Sequence, residues 1–423
     1  MTASLPSSET ITRVELPNGI IILAYENFSS PSVVIGGSLW AGALSEAPEQ
    51  AGLASFTAGM LMRGTETRSF GQINEALESV GAQLGFRAGV HSAGFGGKAL
   101  AEDLDLLLSI LTDSLQRPAF PAEETDKLQG QIYTALQRRA HDTRRMARLT
   151  FDALLFPDHP YGRSVQGYEE TISGLDRDHL ATYHRDHYSP EGMVIAVVGA
   201  VPVDSTVEKV QSALGGWQAP DATANRTIPT GVQLSELRRE TVPMEGKTQA
   251  DLVLGWPGLA RKDPDYMKAF LANTVLGVFG MMGRLGDNLR DEQGLAYYVY
   301  SQLEAGLGAG PWQAIAGVNP DNVERTIEGI LLEACRLRDE PVPADELADS
   351  QSFLTGSMPL RLETNEGIAN TLLSIERHDL GLDYLLQYAD LVNAVTVEDI
   401  QEVSQRIMNP DLYALAIAGP ETE

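Results

Sequence analysis

The sequence predicts an α+β fold made of two homologous halves, each a mostly antiparallel sheet with helices packed on one face. Three observations predict it. The chain has 423 residues, which is too many for one ordinary core and suits two domains of about 200 residues each. Similar landmarks recur in the two halves. Runs typical of strands are also grouped apart from long helices instead of alternating with them one by one.

Both halves pass through strand and helix patterns in the same order. The predicted strands are residues 14–16, 20–24 and 32–40 in the first half and 250–256 in the second. A Pro17-Asn18-Gly19 turn joins the first two strands. The predicted helices are residues 49–62 in the first half and 264–276 in the second. The matching order suggests that one plan is used twice.

Two pairs of later landmarks support a duplication. Pro121 and Pro343 each begin a helix, and Pro190 and Pro410 each precede an apolar strand. The separation along the chain is nearly the same for both pairs. Two unrelated landmarks with such similar spacing indicate an internal repeat. The predicted divisions are an N-terminal half at residues 1–214, a linker with the first strand of the second half at 215–248, and a C-terminal half at 249–423.

Composition excludes several classes of function. The formal net charge of −27 leaves no cationic surface for nucleic acid. The single cysteine, Cys335, can form neither an intramolecular disulfide nor a thiolate metal site, and we expect it to be buried. The first ten residues lack the features of a signal peptide, and the longest apolar run, residues 192–203, is too short to span a bilayer. We therefore expect a cytoplasmic protein.

One stretch has the flanking residues of a zinc motif but lacks its metal ligands and its general base. Residues 52–65 read GLASFTAGMLMRGT. They resemble G-L-A-H-F-L-E-H-M-L-F-x-G-T of the pitrilysin and mitochondrial-processing-peptidase family of zinc peptidases, the inverzincins. There, H-x-x-E-H supplies two zinc-binding imidazoles and a glutamate base. On this resemblance Ser55 and Gly59 replace the two histidines and Ala58 replaces the glutamate. The family's third ligand, a glutamate about 76 residues further on, would fall at Ala135.

A second stretch keeps the family's pattern. Residues 281–301 read MMGRLGDNLRDEQGLAYYVYS and resemble S-S-R-L-x-x-x-L-R-E-x-x-G-L-A-Y-x-V-x-S. The resemblance implies that Arg290 and Tyr297 contact the backbone of a peptide substrate. A guanidinium offers several fixed donors to peptide carbonyls, and a phenol can stabilise a developing oxyanion. The alternative is that Arg290 pairs with Asp287 or Glu292 and that Tyr297 only fills a strand.

The histidines offer one other candidate metal site. His179, His184 and His187 lie close together in sequence, and an i, i+3 spacing could place the last two on one helix face. No glutamate base lies between them, so we expect packing or surface histidines, with an adventitious metal site as the alternative.

The resemblance, which extends from about residue 14 to residue 419, implies a clam-shell-like half chamber and a non-catalytic, substrate-binding subunit. No metal or cofactor is expected in this chain. Zinc is expected in a homologous, zinc-motif-bearing partner subunit, with which this chain would form a heterodimer that cleaves peptides. The alternatives are a structural or peptide-binding homodimer without proteolytic function and, least favoured, a self-sufficient zinc peptidase. The acidic excess also predicts that basic peptides bind better and that salt weakens their binding.

Overall fold

The computed structural model describes residues 5–219, 226–278 and 283–421. Residues 220–225 of the predicted linker and the first two residues of the 281–301 motif lie outside this description. The strands are β1 (Thr12–Glu15), β2 (Ile21–Glu26), β3 (Ser32–Leu39), β4 (Gln83–Ala88), β5 (Ala93–Leu100), β6 (Val194–Gly199), β7 (Arg238–Pro243), β8 (Ala250–Pro257), β9 (Ala296–Ala305), β10 (Ala309–Val318) and β11 (Ala414–Gly419).

The helices alternate with groups of strands along the chain. They are α1 (Leu53–Met60), α2 (Phe70–Glu78), α3 (Leu104–Gln116), α4 (Ala122–Ala140), α5 (Thr143–Leu155), α6 (Glu169–Ser173), α7 (Arg177–His187), α8 (Val203–Leu214), α9 (Tyr266–Gly277), α10 (Val323–Asp339), α11 (Ala344–Ser357), α12 (Asn365–Arg377), α13 (Tyr384–Asn393) and α14 (Val397–Ile407). A π-helical segment, Gly286–Glu292, precedes β9. None of the helices within the described ranges is long and apolar enough to cross a membrane.

The predicted strands and helices are present, with one shortened helix. The turn at residues 17–19 has Gly19 at φ 84°, a backbone conformation that glycine adopts without strain. The helix predicted from residue 49 begins only at Leu53. Gly52 has φ 101°, which is outside the right-handed helical region, so the helix cannot extend towards residue 49. Cys335 is half-buried on α10 instead of fully buried, and burial raises the pKa of its thiol.

The described residues divide into two compact units. Unit 1 takes those within 1–136, 164–227 and 358–386, and unit 2 takes those within 137–163, 228–357 and 387–423. The sheet of unit 1 has the order β1-β2-β6-β3-β5-β4, and the sheet of unit 2 has the order β7-β11-β8-β10-β9. In each sheet one pair is parallel, β2 with β6 and β7 with β11, and the other pairs are antiparallel. Apart from β1, the two sheets therefore have the same topology, as a duplication requires.

Each sheet is completed by a helix from the other half of the sequence. Helix α5, from the N-terminal half, belongs to unit 2 and packs on β7, β8 and β11. Helix α12, from the C-terminal half, belongs to unit 1 and packs on β3 and β6. They begin at Thr143 and Asn365, whose separation along the chain equals that between Pro121 and Pro343. The predicted boundaries follow the repeats along the chain and remain a prediction, since the compact units divide the chain differently.

The core of unit 1 lies on both faces of its sheet. Val33 and Ile35 of β3 are fully buried against the helices of the N-terminal half, including α1 and α3. Val34 points to the opposite face, as strand geometry requires, and packs with Leu372 and Leu373 of α12. The α+β class is confirmed. One face of the sheet of unit 1 carries helices from the N-terminal half, and α12 from the C-terminal half covers part of the other face.

Candidate functional site

Arg290 and Tyr297 lie on one continuous segment of unit 2. Arg290 is in the π-helical segment, and Gly294, with φ 64°, turns the chain into β9. The turn is closed by hydrogen bonds from the amide of Gly294 to the carbonyl of Arg290 (3.2 Å) and from the amide of Leu295 to the carbonyl of Leu289 (2.8 Å). Tyr297 follows as the second residue of β9, so the tight turn fixes its position in the chain relative to Arg290.

A buried polar contact holds the π-helical segment against α10. The side-chain amide of Asn288 donates to Glu333, with 2.5 Å between Nδ2 and Oε1. Glu333 is fully buried and also forms an ion pair with Arg336, 3.1 Å away. The neighbouring residue, Leu289, is fully buried against Gly329 of α10. A buried carboxylate is stable only when it is paired and hydrogen-bonded, so these contacts bind the segment firmly to the helix.

The two predicted substrate-binding side chains differ in exposure. Arg290 is half-buried, whereas 59% of the surface of Tyr297 is exposed. Strand β9 is the edge of its sheet and pairs only with β10 among the described strands. Its outer edge therefore carries backbone groups open to another extended chain, with the Tyr297 phenol beside them. This arrangement can bind a peptide main chain by hydrogen bonds.

The positions that correspond to the zinc ligands lie on two helices of unit 1. Ser55 and Gly59 are half-buried and one turn apart on α1, and Ala58 between them is fully buried. On α4, Ala135 is exposed. A Cβ added at Gly59 would lie 3.0 Å from Leu128, which is seven residues before Ala135 and therefore on nearly the same face of α4. The two helices are thus close together near these positions.

The chemistry of these four positions does not fit zinc. A zinc site takes imidazole, thiolate or carboxylate ligands, and these positions supply one hydroxyl and no other polar side-chain atom. Across the described ranges, no three His, Cys, Asp or Glu side chains are grouped so that they could hold a metal ion.

Helix α1 keeps its structure through a carboxylate cap. Glu46, 7% exposed, accepts hydrogen bonds from the backbone amides of Gly52 (3.1 Å) and Ala54 (2.5 Å). These amides are at the helix N-terminus, where the first N–H groups have no partner within the helix and negative charge is favoured.

Replacing Glu46 with glutamine is expected to lower the free energy of unfolding by about 1–2 kcal/mol, because the charge and one hydrogen bond are lost. Urea denaturation measures it. Glu49→Gln, exposed in the same loop, is the matched control, and its stability should differ from that of the parent by no more than about 0.5 kcal/mol. Equal losses in the two variants would contradict a capping role.

The histidine cluster serves packing. The ring of His184 stacks on Tyr188 with 4.7 Å between centroids, and its Nε2 lies 2.8 Å from the carbonyl oxygen of Leu115. The Nδ1 of His179 lies 2.7 Å from the Asp176 carboxylate that caps α7. Burial lowers the pKa of His184 to about 4, although the Leu115 carbonyl opposes this shift, and burial also lowers the pKa of His187.

The lowered pKa of His184 makes stability depend on pH. The unfolded chain binds a proton at this side chain near pH 6.5, and the folded chain only near pH 4. The stability is therefore complete above pH 6.5 and falls as the pH drops from 6.5 to 4, by up to about 3 kcal/mol. His184→Gln keeps an N–H donor for Leu115 and should flatten this part of the curve. Unfolding measured at pH 4, 5, 6 and 7 checks it, and an unchanged slope in the variant would refute the assignment.

Sequence reasoning missed Glu46, Asn288 and Glu333. Glu46 caps a helix that begins seven residues later, which no local capping pattern indicates. A signal for Glu333 was available, since it is a charged residue among Ile330, Ala334 and other apolar residues on the buried side of α10. Such a residue predicts a buried partner, here supplied by Asn288 within the motif.

Comparison with known proteins gives the family. Residues 22–167 match the family model of insulinase (peptidase family M16), and residues 174–354 match the model of the peptidase M16 inactive domain. An uncharacterised zinc protease of Bacillus subtilis is 27% identical over 416 residues, covering 97% of this chain and 98% of that protein. A probable mitochondrial-processing peptidase subunit beta of Arabidopsis thaliana is 23% identical over 432 residues, covering 99% of this chain and 79% of that protein.

Solved structures have the same fold. A peptidase M16 inactive domain from Pseudomonas fluorescens superimposes with a TM-score of 0.89 at 24% identity, over 97% of this chain and 98% of that one. A protease from Helicobacter pylori gives a TM-score of 0.91 at 17% identity, over 98% of this chain and 100% of that one. At these identities the structures establish the fold alone. With both family models matched in order along the sequence, the chain belongs to peptidase family M16.

Proposed function

We propose that this chain is the non-catalytic, substrate-binding subunit of a two-chain zinc endopeptidase. The observation that carries the proposal is the contrast between its two motifs. Four zinc-site positions hold Ser55, Ala58, Gly59 and Ala135, which cannot bind the metal, whereas Arg290 and Tyr297 are kept on a firmly held segment. A complete loss of function would not explain why the motif with Arg290 and Tyr297 is intact while the zinc motif is not.

Arg290 and Tyr297 bind and orient the peptide in this proposal. The guanidinium donates to peptide carbonyls, the phenol donates to the oxygen that gains negative charge, and the open edge of β9 pairs with the extended main chain. A homologous partner subunit would hold a zinc ion, which would lower the pKa of a bound water for attack on the peptide. The site of action is the cytoplasm. The relatives named zinc protease and processing-peptidase subunit support peptide cleavage as the reaction of the assembly.

The test is peptidase activity of separate and mixed chains. A quenched, flexible peptide is incubated with this chain alone, with a zinc-motif-bearing M16 chain from the same source alone, and with both. Zinc is measured in each preparation. We expect cleavage only in the mixture and zinc only in the partner. Full activity of the partner alone, unchanged by adding this chain, would reject the proposal.

The second candidate is a structural or peptide-binding homodimer with no proteolytic function. The match to an inactive domain over residues 174–354 favours it as the alternative. Sedimentation of this chain with and without the zinc-motif chain separates the two candidates. A homodimer that does not exchange with that chain, and that still binds peptide, would support this candidate over the first.

A further inference from the structure

Unit 1 contains a groove that the proposed function does not use. It encloses about 680 Å³ on the face of the sheet that also carries α12. Strands β3, β4 and β5 form its floor, and the exposed side of α12 forms one wall. That side of the helix is polar and carries Glu366, Asn370, Ser374 and Arg377. The groove therefore offers polar and charged groups to a ligand.

The middle of the groove floor is a row of glycines without side chains. Gly36 of β3, Gly96 of β5 and Gly85 of β4 lie directly opposite one another across the three strands. A Cβ added at Gly85 or Gly96 would meet no atom within 4 Å, and one at Gly36 would meet only Leu373 closely, at 3.1 Å. Because strands lie about 4.8 Å apart, the three glycines form a strip of bare backbone roughly 10 Å long that runs across the strands.

The same place in unit 2 is filled. The paired strands of the two sheets can be matched through their registers, since Val34 pairs with Val198 and Asp251 pairs with Ala418. Ala418 follows Val198 by the same separation along the chain as Pro410 follows Pro190. Val34 therefore corresponds to Asp251, and two residues further along the strand Gly36 corresponds to Val253. The residues beside Val253 on the neighbouring strands, which correspond to Gly96 and Gly85, are Ile315 and Tyr300. All three have large side chains. The open floor is thus particular to unit 1.

The groove is positively charged in a strongly acidic protein. Its lining includes Arg87, Lys98 and Arg377, and its single carboxylate, Glu366, is paired with Lys98 at 2.7 Å. Within the described part of the chain, neither Arg87 nor Arg377 forms an ion pair with an acid. Partial desolvation in the groove, and then the charge of Arg87, lowers the pKa of Arg377. Two guanidiniums that line one cavity and have no ion-pair partner among the described acidic residues favour binding an anion.

We propose that this groove binds a carboxylate of an extended peptide, which Arg87 and Arg377 hold while the main chain crosses the glycine floor. Guanidiniums match carboxylates by paired, charge-assisted hydrogen bonds. The bare floor admits a peptide backbone, and Asn370 and Ser374 offer it hydrogen-bond partners. The carboxylate belongs either to an acidic side chain or to a peptide C-terminus. The inference goes beyond the proposed function, because it involves unit 1 alone and needs neither Arg290 nor a zinc-bearing partner.

Isothermal titration calorimetry with three N-acetylated pentapeptides tests it. One is Ac-Gly-Ala-Glu-Ala-Gly-NH₂, one carries Gln in place of Glu, and one carries Gln with a free C-terminal carboxylate. We expect at least one charged peptide to bind about tenfold more tightly than the neutral one at low salt. Tighter binding of the first identifies a side chain as the source, and tighter binding of the third identifies a C-terminus.

Variants decide whether the groove is responsible. The double variant Arg87→Gln/Arg377→Gln should remove the tenfold difference, and Gly96→Leu should block all three peptides without changing the charge. Arg185→Gln, which removes an exposed arginine paired with Asp186 outside the groove, is the control for loss of a guanidinium elsewhere and should bind normally. The double variant leaves Arg290 and Tyr297 unchanged, so a failure of the proposed function leaves this test valid. Equal binding of charged and neutral peptides, or unchanged binding by the double variant, would overturn the inference.

Discussion

Replacing Arg290 with alanine is expected to reduce peptide cleavage by the mixed subunits about 10²-fold, because the substrate backbone loses the donors that orient it and a small misplacement of a bound substrate costs about that much. Arg290→Lys should recover only part of the activity, because an ammonium keeps the charge but not the planar fork of donors. Tyr297→Phe removes the hydroxyl that donates to the developing charge and should reduce cleavage about 10²–10³-fold. The kcat/KM of each mixture, at saturating zinc-bearing partner, is the measurement.

The control for these variants lies on the same strand. Gln302 is also exposed on β9, so Gln302→Ala tests whether any change on this strand lowers activity. It should leave kcat/KM within about twofold, a change of roughly 0.4 kcal/mol or less. The mixtures are also compared by sedimentation, so that failed assembly is not counted as failed catalysis. Full activity of Arg290→Ala in an intact assembly would show that the guanidinium does not orient the substrate.

Gly329→Ala is expected to destabilise the protein by about 1–3 kcal/mol, against the usual preference of helices for alanine. An added Cβ would lie 2.2 Å from Cδ2 of Leu289, which is fully buried and cannot move aside. The π-helical segment that carries Arg290 must then shift, so peptidase activity in the mixture should fall as well. Urea denaturation and kcat/KM measure the two effects.

Substitution of a second helical glycine is the control, and its expected effect on stability has the opposite sign. Gly130 lies in the middle of α4, and a Cβ added there would meet nothing within 4 Å. Gly130→Ala should therefore stabilise the protein by about 0.5–1 kcal/mol. Combining Gly329→Ala with Leu289→Val should recover part of the lost stability, since the smaller side chain leaves room. If Gly329→Ala were instead as stabilising as Gly130→Ala, Leu289 would not be packed as described.

The strands and the duplication could be predicted because their signals are local. The apolar runs that became β6 and β11 end at Gly199 and Gly419, and their spacing revealed the repeat. Which sheet a helix covers was not predictable. Phe151 of α5 and Leu372 of α12 mark apolar faces by their spacing, but periodicity does not say which sheet will meet them. Both helices complete the sheet of the opposite half.

The residues of the candidate site that belong to a sequence motif were predicted, and those that join it only through contacts in the fold were missed. Arg290 and Tyr297 were found through a stretch of similar text, whereas Glu333, which lies well beyond the motif in the sequence, was not. The glycine floor was also missed. Gly36, Gly85 and Gly96 are ordinary glycines in the sequence, and only the strand registers bring them side by side. The overall acidic charge predicts that basic peptides bind better. It gave no indication of the local excess of arginine in the groove.

The exchange of α5 and α12 has a consequence for synthesis on the ribosome. The sheet of unit 1 has all its strands once Gly199 has been made, but the helix that covers Val34 and Val198 ends only at Arg377. At about 5–20 residues per second, translating the chain between these two points takes roughly 10–35 s. During this interval the nascent chain exposes an apolar sheet face to solvent, which makes the growing polypeptide a candidate for chaperone binding. Neither repeat, expressed as a separate gene fragment, carries the helix its own sheet needs.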